Sequence, residues 1–267
     1  MKIIPCQRNV AQTLNIRLKF NQKFSVSLVK PFAKQYCLLC AAHDGGELGL
    51  CEACLNDLPW HTAPQCPQCS LLSNGLICGS CLNTPPHFDA TRSLFTYDFP
   101  IDSLLQHYKY KNMLHLASAF AVLLNEKVLN KNQHQANKPS SGILANKIDL
   151  MIPMPMHNTR LQERGFNQAL ELARIISKNM QIKLDFTTCQ RVKRTPPQAS
   201  LPLKERIKNI HDVFSCQQNL QGLNIAIVDD VMTTGASLNE LAKTLKKAGA
   251  AHVECWVIAR TLPKPHN

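Results

Sequence analysis

The residues of this chain best suited to chemistry are consecutive: Asp229-Asp230-Val231-Met232-Thr233-Thr234-Gly235-Ala236-Ser237. An apolar run from Leu223 to Val228 leads into them. Leu238, Leu241, Ala242, Leu245 and Ala248 follow at helical spacing, closed by Gly249. The segment reads as a buried strand ending in two acids, then a short loop, then a helix. Ligands of open α/β sheets lie outside the carboxyl ends of strands, and a helix N-terminus offers free N–H groups and partial positive charge to a phosphate. Gly235 lets the backbone come close to such a ligand, and the hydroxyls of Thr233, Thr234 and Ser237 add donors. The two carboxylates cannot serve the same phosphate; they suit a sugar diol and a divalent cation. Two plainer readings stand beside this one. Asp-Asp at a strand end also occurs in unrelated Mg²⁺ sites, and Ser237 with Glu240 has the spacing of a capping box.

A phosphorylated ligand with more than one phosphate needs further cations, and two segments supply them. After the apolar run Ile148–Pro153 come Arg160, Arg164, Gly165 and Asn167, with Asn167 placed to cap the helix marked by Ala169, Leu172, Ala173, Ile176 and Met180. Guanidinium groups offer forked donors to phosphate oxygens. The second segment is Arg191-Val-Lys193-Arg194-Thr-Pro-Pro-Gln198, a basic loop between strand-like runs, suited to closing over a site and excluding water. Either segment could equally be a solvated basic connection. A third basic run, His107-Tyr108-Lys109-Tyr110-Lys111, interleaves aromatics with cations, which suits stacking on bases and contacting their phosphates. Tyr108, Lys109 and Lys111 are its candidate contacts, although on a helix Tyr108 and Tyr110 cannot face the same way.

Eight of the twelve cysteines fall in four CxxC pairs: Cys37/Cys40, Cys51/Cys54, Cys66/Cys69 and Cys78/Cys81. Each pair aims two thiolates at one ion, and two pairs complete a tetrahedral zinc site, so the pattern predicts two structural Zn²⁺. Sequential pairing is the expectation, with a cross-braced pairing and a disulfide framework as the alternatives. Four thiolates leave no open coordination position. Cys6, Cys189, Cys216 and Cys255 stand outside the pattern and read as core or surface thiols.

The elements that must carry these groups alternate. Thr91–Tyr97 reads as a strand, residues 101–111 and 113–129 as helices, Ile148–Pro153 as a strand, then a helix, a strand over Ile182–Gln190, and the strand–loop–helix above, with Val253–Ala259 as the last strand. That alternation predicts an α/β fold with a mostly parallel sheet flanked by helices. The boundaries read from the sequence are a basic extension over 1–36, a double zinc ribbon over 37–84, and an α/β domain over 88–262 interrupted by an Asn-, Gln- and Lys-rich insertion at 130–146.

Charge is uneven. Of 30 basic residues, seven lie within residues 1–34, where there is no acid; the other 23 face all 18 acids in the remainder. Such a leader fits a solvated arm, a nucleic-acid arm, a transit peptide or sequence upstream of the true start. It lacks the apolar core of a secretory signal, and no run approaches the length of a membrane span, so a reducing cytoplasm is the expected setting.

The strand, Asp229-Asp230, two apolar residues and Thr233-Thr234-Gly235-Ala236-Ser237 together resemble the fingerprint of type I phosphoribosyltransferases. With the double zinc ribbon, Lys109-Tyr110, Arg164-Gly165-Phe166-Asn167-Gln168 and the stretch from Arg194 to Asn209, residues 37 to about 262 resemble the ComF family of bacterial competence proteins. The resemblance implies Mg²⁺-dependent binding of 5-phosphoribosyl 1-pyrophosphate (PRPP), with the sugar hydroxyls on Asp229 and Asp230, the 5′-phosphate on Thr233–Ser237, and pyrophosphate on the loop holding Arg160, Arg164, Gly165 and Asn167. It makes Asp229, Asp230 and Arg194 the candidate catalytic residues and Arg191, Lys193 and Gln198 part of a mobile loop. It also implies a role in natural transformation, with single-stranded DNA and other competence proteins as partners. The residues admit three readings: an enzyme transferring phosphoribose in that setting, a nucleic-acid-binding protein that uses PRPP only as a ligand, and a transferase acting on a small nitrogenous acceptor unrelated to DNA uptake. No residue stands out as a general base for an acceptor.

Overall fold

The computed structural model describes residues 36–46, 48–110, 113, 115–135, 147–193 and 211–263. The chain forms two compact units, Met1–Leu58 and Pro59–Asn267. The smaller carries the first cysteine quartet and a five-residue helix, α1 (Glu52–Asn56). The second quartet belongs to the larger unit, whose elements run α2 (Gly79–Asn83), β1 (Ala90–Thr96), α3 (Ile101–Tyr110), α4 (His115–Gln135), β2 (Leu150–Pro153), α5 (Asn158–Arg164), α6 (Gln168–Met180), β3 (Lys183–Leu184), β4 (Cys189–Arg191), β5 (Phe214–Cys216), β6 (Asn224–Met232), α7 (Ala236–Lys247) and β7 (His252–Arg260).

Five strands form a sheet in the order β1-β7-β6-β2-β3, parallel throughout. Its central strands are apolar on both faces, as a sheet covered on both sides requires. In β6, Ile225 to Val228 are all fully buried, and β7 is buried from Val253 to Arg260. Alternation sends Ile225, Ile227, Val253, Cys255 and Val257 to one face, where Leu238, Leu241 and Leu245 of α7 and Cys66, Cys69 and Cys81 of the second quartet join the same core. Helices α4 and α6 cover the other face. After β2 the chain steps outward to β3, whereas after β6 it steps the opposite way to β7. The gap beyond the carboxyl ends of β2 and β6 is thus the topological switch point, where ligands of such sheets bind.

Several boundaries differ from the sequence reading, each for a local reason. Strand β6 does not stop at the acids but runs through them to Met232, because Val231 and Met232 stay in register with Ala259 and Arg260 of β7. Helix α4 continues to Gln135, into the stretch read as insertion; residues 136–146 lie outside the described residues. The strand expected over Ile182–Gln190 is two short strands, separated where Asp185 accepts from the backbone N–H groups of Thr187 and Thr188 and turns the chain.

Strands β1 and β7 are fastened by a buried charge cluster. Arg92 Nε lies 3.1 Å from Glu254 Oε2, and the Glu254 carboxylate also accepts from Trp256 Nε1 at 3.0 Å. Burial pushes Glu254 up, but His252, Arg92 and Trp256 outweigh it and bring the carboxyl down to about 2. A group depressed on folding contributes stability above its unfolded pKa and loses it as pH falls toward the folded one. The cluster should therefore contribute roughly 3 kcal/mol at neutral pH, scaling the shift by about 1.4 kcal/mol per unit. We expect Glu254→Gln to lower neutral stability and to flatten the loss of stability between about pH 4.5 and about pH 2, read from urea midpoints across that range.

Candidate functional site

Both loops singled out by sequence leave the sheet at the switch point. After β2, Asn167 caps α6: its side chain accepts from Ala169 N at 3.0 Å and Leu170 N at 3.4 Å, while its Nδ2 donates to Met154 O at 3.1 Å. One side chain thereby ties the end of β2 to the start of α6. Between them the sequence reading had only a loop; the structure forms α5, capped by His157 and closed by Gly165 at φ 84°. A Cβ on Gly165 would meet nothing within 4 Å, so the left-handed backbone, not crowding, favours glycine there.

After β6, the turn at Gly235 (φ 79°) opens α7. The capping box that stood as the plainer alternative does not form: Gly235 is the N-cap, and Glu240 accepts from Asp212 N at 3.0 Å. Thr233 and Thr234 are exposed, and Thr234 Oγ1 accepts from Ala236 N at 3.3 Å. Ser237 is half-buried, Val231 also, and Met232 turns its side chain into the core, so Val231 and Met232 offer a ligand backbone only. The loop is thus a run of backbone N–H groups and hydroxyls at the N-terminus of a twelve-residue helix.

The acids behave differently from one another. Asp230 is buried and its Oδ2 lies 2.6 Å from Lys109 Nζ. Burial pushes both groups toward neutrality, yet their mutual attraction prevails: Asp230 sits below the usual carboxylate range and Lys109 above the usual amine range. Asp229 is pushed well above its ordinary value, first by burial and then by the negative charge of Asp230. The two carboxyls are thus driven in opposite directions, and hydroxyl donors or a cation beside them would favour the charged form of both.

The Arg191 guanidinium feels both a neighbouring cation and one acid of this pair. Arg191 is pushed below its ordinary value by burial and then by the charge of Arg160, an effect Asp229 partly offsets. Arg160, Arg191 and Asp229 are therefore electrostatic neighbours, although they come from α5, β4 and β6. The other predicted cations lie elsewhere. Arg164 donates to Gln168 Oε1 at 2.5 Å and lies over the Tyr110 ring at 5.2 Å, so it braces α5 against α6 and α3. Lys193 Nζ reaches His211 O at 3.5 Å. Arg194 and Gln198 lie outside the described residues.

The basic aromatic run is largely spoken for. Tyr108 is fully buried, donates to Gln168 O at 2.8 Å and packs edge-on to Phe120, so it cannot stack on a base. Lys109 holds Asp230. Tyr110 is the exposed ring, and Lys111 lies outside the described residues.

One functional residue was not read from sequence. Arg260, 3% exposed at the end of β7, donates from Nε to Cys69 O at 2.9 Å and from Nη1 to Met232 O at 3.0 Å, to Thr261 O at 2.9 Å and to Thr233 O. It joins the second cysteine quartet to the carbonyls beneath the phosphate loop. A charged residue closing the apolar run Cys255–Ala259 was the available signal.

The quartets pair sequentially. In each, the four Sγ atoms lie within 4.8 Å of one another, and Cys40···Cys51 and Cys69···Cys78 are both 3.6 Å apart. A tetrahedral ion with Zn–S near ~2.3 Å sets S···S edges of about 3.8 Å, so the donors fit zinc, whereas a disulfide needs about 2.05 Å. The two sites repeat one design. The first CxxC makes a tight turn with a left-handed residue after it (Ala41, Ser70), and the second opens a five-residue helix with its leading cysteine as N-cap. Burial pushes the Cys37 and Cys66 thiols up, but backbone N–H donors bring them to about 6 and about 7; Cys54 and Cys81 are pushed up by burial and by their neighbours' sulfurs. Four sulfur donors at this spacing suit a bound cation. These quartets would hold structural zinc, with no coordination position left for chemistry.

A parallel sheet flanked by helices, whose switch point carries an acid pair and a Thr-Thr-Gly turn, together with two CxxC quartets, defines a phosphoribosyltransferase-type fold with a double zinc ribbon. Residues 167–265 match the phosphoribosyl transferase domain model, and residues 29–82 the double zinc ribbon domain model. The chain is 32% identical to the DNA utilization protein YhgH of Salmonella typhi over 80% of its length and 91% of that protein. It is 32% identical to competence protein F of Haemophilus influenzae over 79% and 90%, and 26% identical to competence protein ComFC of Bacillus subtilis over 79% and 84%. Among solved structures, purine phosphoribosyltransferase from Pyrococcus horikoshii aligns at 17% identity and a TM-score of 0.30 over 52% of this chain and 85% of that one. The chain belongs to the ComF family.

Proposed function

We propose that this protein binds Mg²⁺–PRPP at the switch point and acts in natural competence on incoming single-stranded DNA, in the cytoplasm. The observation that carries the reading is the acid pair Asp229-Asp230 on β6, followed by the exposed Thr233-Thr234 turn that opens α7, at the switch point of the parallel sheet. The 5′-phosphate lies on Thr233–Ser237, the ribose hydroxyls on Asp229 and Asp230, and the pyrophosphate between the guanidiniums of Arg160 and Arg191. Asp229 and Asp230 would help hold Mg²⁺, which would supply charge neutralisation for the pyrophosphate. Fixed cations around a departing pyrophosphate, with carboxylates near the sugar, are what stabilise an oxocarbenium-like transition state. The competence role rests on the relatives, which are named for competence and DNA utilization. No helix among the described residues is long and apolar enough to cross a membrane.

Calorimetry with Mg²⁺–PRPP, paired with a pyrophosphate-release assay with and without single-stranded DNA, tests this. Saturable binding is expected, lost at least 100-fold in Asp229→Ala/Asp230→Ala. DNA-dependent pyrophosphate release makes the protein an enzyme on DNA, release that needs a small amine makes it a transferase unrelated to uptake, and binding without release makes PRPP a ligand. No binding by the wild-type protein defeats the proposal.

A further inference from the structure

Cys189 and Cys216 face one another across the β4–β5 ribbon, and neither belongs to a zinc quartet. Their strands are antiparallel, with Cys189 in register with Cys216, Gln190 with Ser215 and Arg191 with Phe214. The hydrogen-bonded rungs are Thr188/Gln217 (Gln217 N to Thr188 O, 3.4 Å) and Val192/Val213 (Val192 N to Val213 O, 2.8 Å). Rungs alternate, so Cys189/Cys216 and Arg191/Phe214 are the non-hydrogen-bonded pairs, in which side chains approach most closely. The position of the Arg191 guanidinium, 5.6 Å from the Phe214 ring centroid, agrees with that alternation. In such a pair the Cα atoms lie about 4.5 Å apart, inside the roughly 4.4–6.8 Å range that a disulfide spans. Cys216 Sγ also lies 3.7 Å from Gln218 O. Cys189 is buried in the core, whereas Cys216 is half-buried and lines a surface cleft with Phe214, Lys243 and Lys247.

We propose that Cys189 and Cys216 form a reversible disulfide, a redox modification site on the ribbon that carries Arg191. The accessible Cys216 thiolate attacks one sulfur of a small-molecule disulfide, RSSR, and expels one RS⁻. The Cys189 thiolate then attacks Sγ of Cys216 and expels the second RS⁻. The two protons released by the cysteines leave with these thiolates as two RSH; the dithiol is oxidised and RSSR is reduced. The buried Cys189 thiol is held up by burial and by the charge of Cys216, and the second of these vanishes once Cys216 is in mixed disulfide, which eases the second attack. The bridge would fasten β4 to β5 two residues before Arg191, on the same face of the strand.

The test does not depend on PRPP binding, so its failure leaves that reading intact. Zinc-loaded full-length protein is titrated with oxidised glutathione, free zinc is followed with a chromophoric chelator, and alkylated digests are mapped by mass spectrometry without reduction. The expected result is a Cys189–Cys216 linked peptide, lighter by two hydrogens than the separate peptides, formed while zinc stays bound and lost on adding dithiothreitol. Cys216→Ser should abolish the link. Cys189→Ala should leave Cys216 trapped as its glutathione mixed disulfide, at least tenfold more abundant than in the wild type. Absence of the link before zinc is released, or linkage of Cys216 to a zinc-quartet cysteine instead, overturns the proposal; so does Cys189→Ala without the trapped adduct.

Discussion

Replacing Arg260 with Met should cost about 3–5 kcal/mol of stability and abolish PRPP binding, although Arg260 touches neither zinc nor the expected ligand. Its guanidinium is buried, and among the described residues no carboxylate pairs with it; its partners are carbonyls of Cys69, Met232, Thr233 and Thr261. Burial pushes Arg260 down, and the sulfurs of Cys69, Cys81 and Cys78 oppose that. Four thiolates around one Zn²⁺ carry a net charge of about −2, so the quartet is the counter-charge that lets the arginine be buried. Met matches the aliphatic bulk but leaves the buried carbonyls of Cys69 and Met232 short of donors and the zinc site uncompensated, and breaking a buried pair from one side is costly by roughly this amount. Arg260→Lys keeps the charge but not the fork that reaches Cys69 O on one side and Met232 O on the other, so it should fall between the two. Urea denaturation, zinc retention after dialysis and PRPP calorimetry on the three proteins read the effect. Equal stability and zinc content in Arg260→Met would show that the quartet and the phosphate loop are not coupled through this residue.

The same residue shows what could be read from sequence and what could not. Local chemistry was legible. The CxxC spacing gave both quartets, Asn167 as a helix cap came from its place before an amphipathic run, and the acid pair with Thr-Thr-Gly marked the loop, because each is set by neighbours in the chain. Groups whose meaning depends on distant partners were not. Lys109 and Tyr108 sit in a run that looks made for nucleic acid, yet the fold spends one on Asp230, 121 positions away, and the other on the α6 backbone. Arg164 looked like a phosphate ligand and braces helices instead, whereas Arg160, one helical turn earlier, is an electrostatic neighbour of Arg191. Ser237 and Glu240 had the spacing of a cap, but the strand ran on to Met232 and moved the helix start to Gly235. Cys189 and Cys216 carry no spacing signal, because a β-ribbon pairing depends on register rather than sequence distance.

Lys109 makes the second large prediction. Asp230 is held charged inside the protein by this one ammonium at 2.6 Å. Lys109→Met removes it, and burial then pushes the Asp230 carboxyl up, as it already does for Asp229. The single change should cost about 3–5 kcal/mol, the penalty for stranding a buried charge, while Lys109→Met/Asp230→Asn should cost less than the sum of the single changes by roughly 2 kcal/mol. The sign of the pH effect follows. In the wild type the contribution of Asp230 is present above its unfolded pKa and is lost only as pH falls through a depressed folded value. In Lys109→Met the folded value is raised, so the carboxylate is lost at higher pH, and PRPP binding should fall off at a pH above that of the wild type. Calorimetry from pH 5 to 8 reads this directly. If Lys109 instead served nucleic acid, Lys109→Met would leave PRPP binding unchanged and reduce the salt dependence of single-stranded DNA binding by about one counterion.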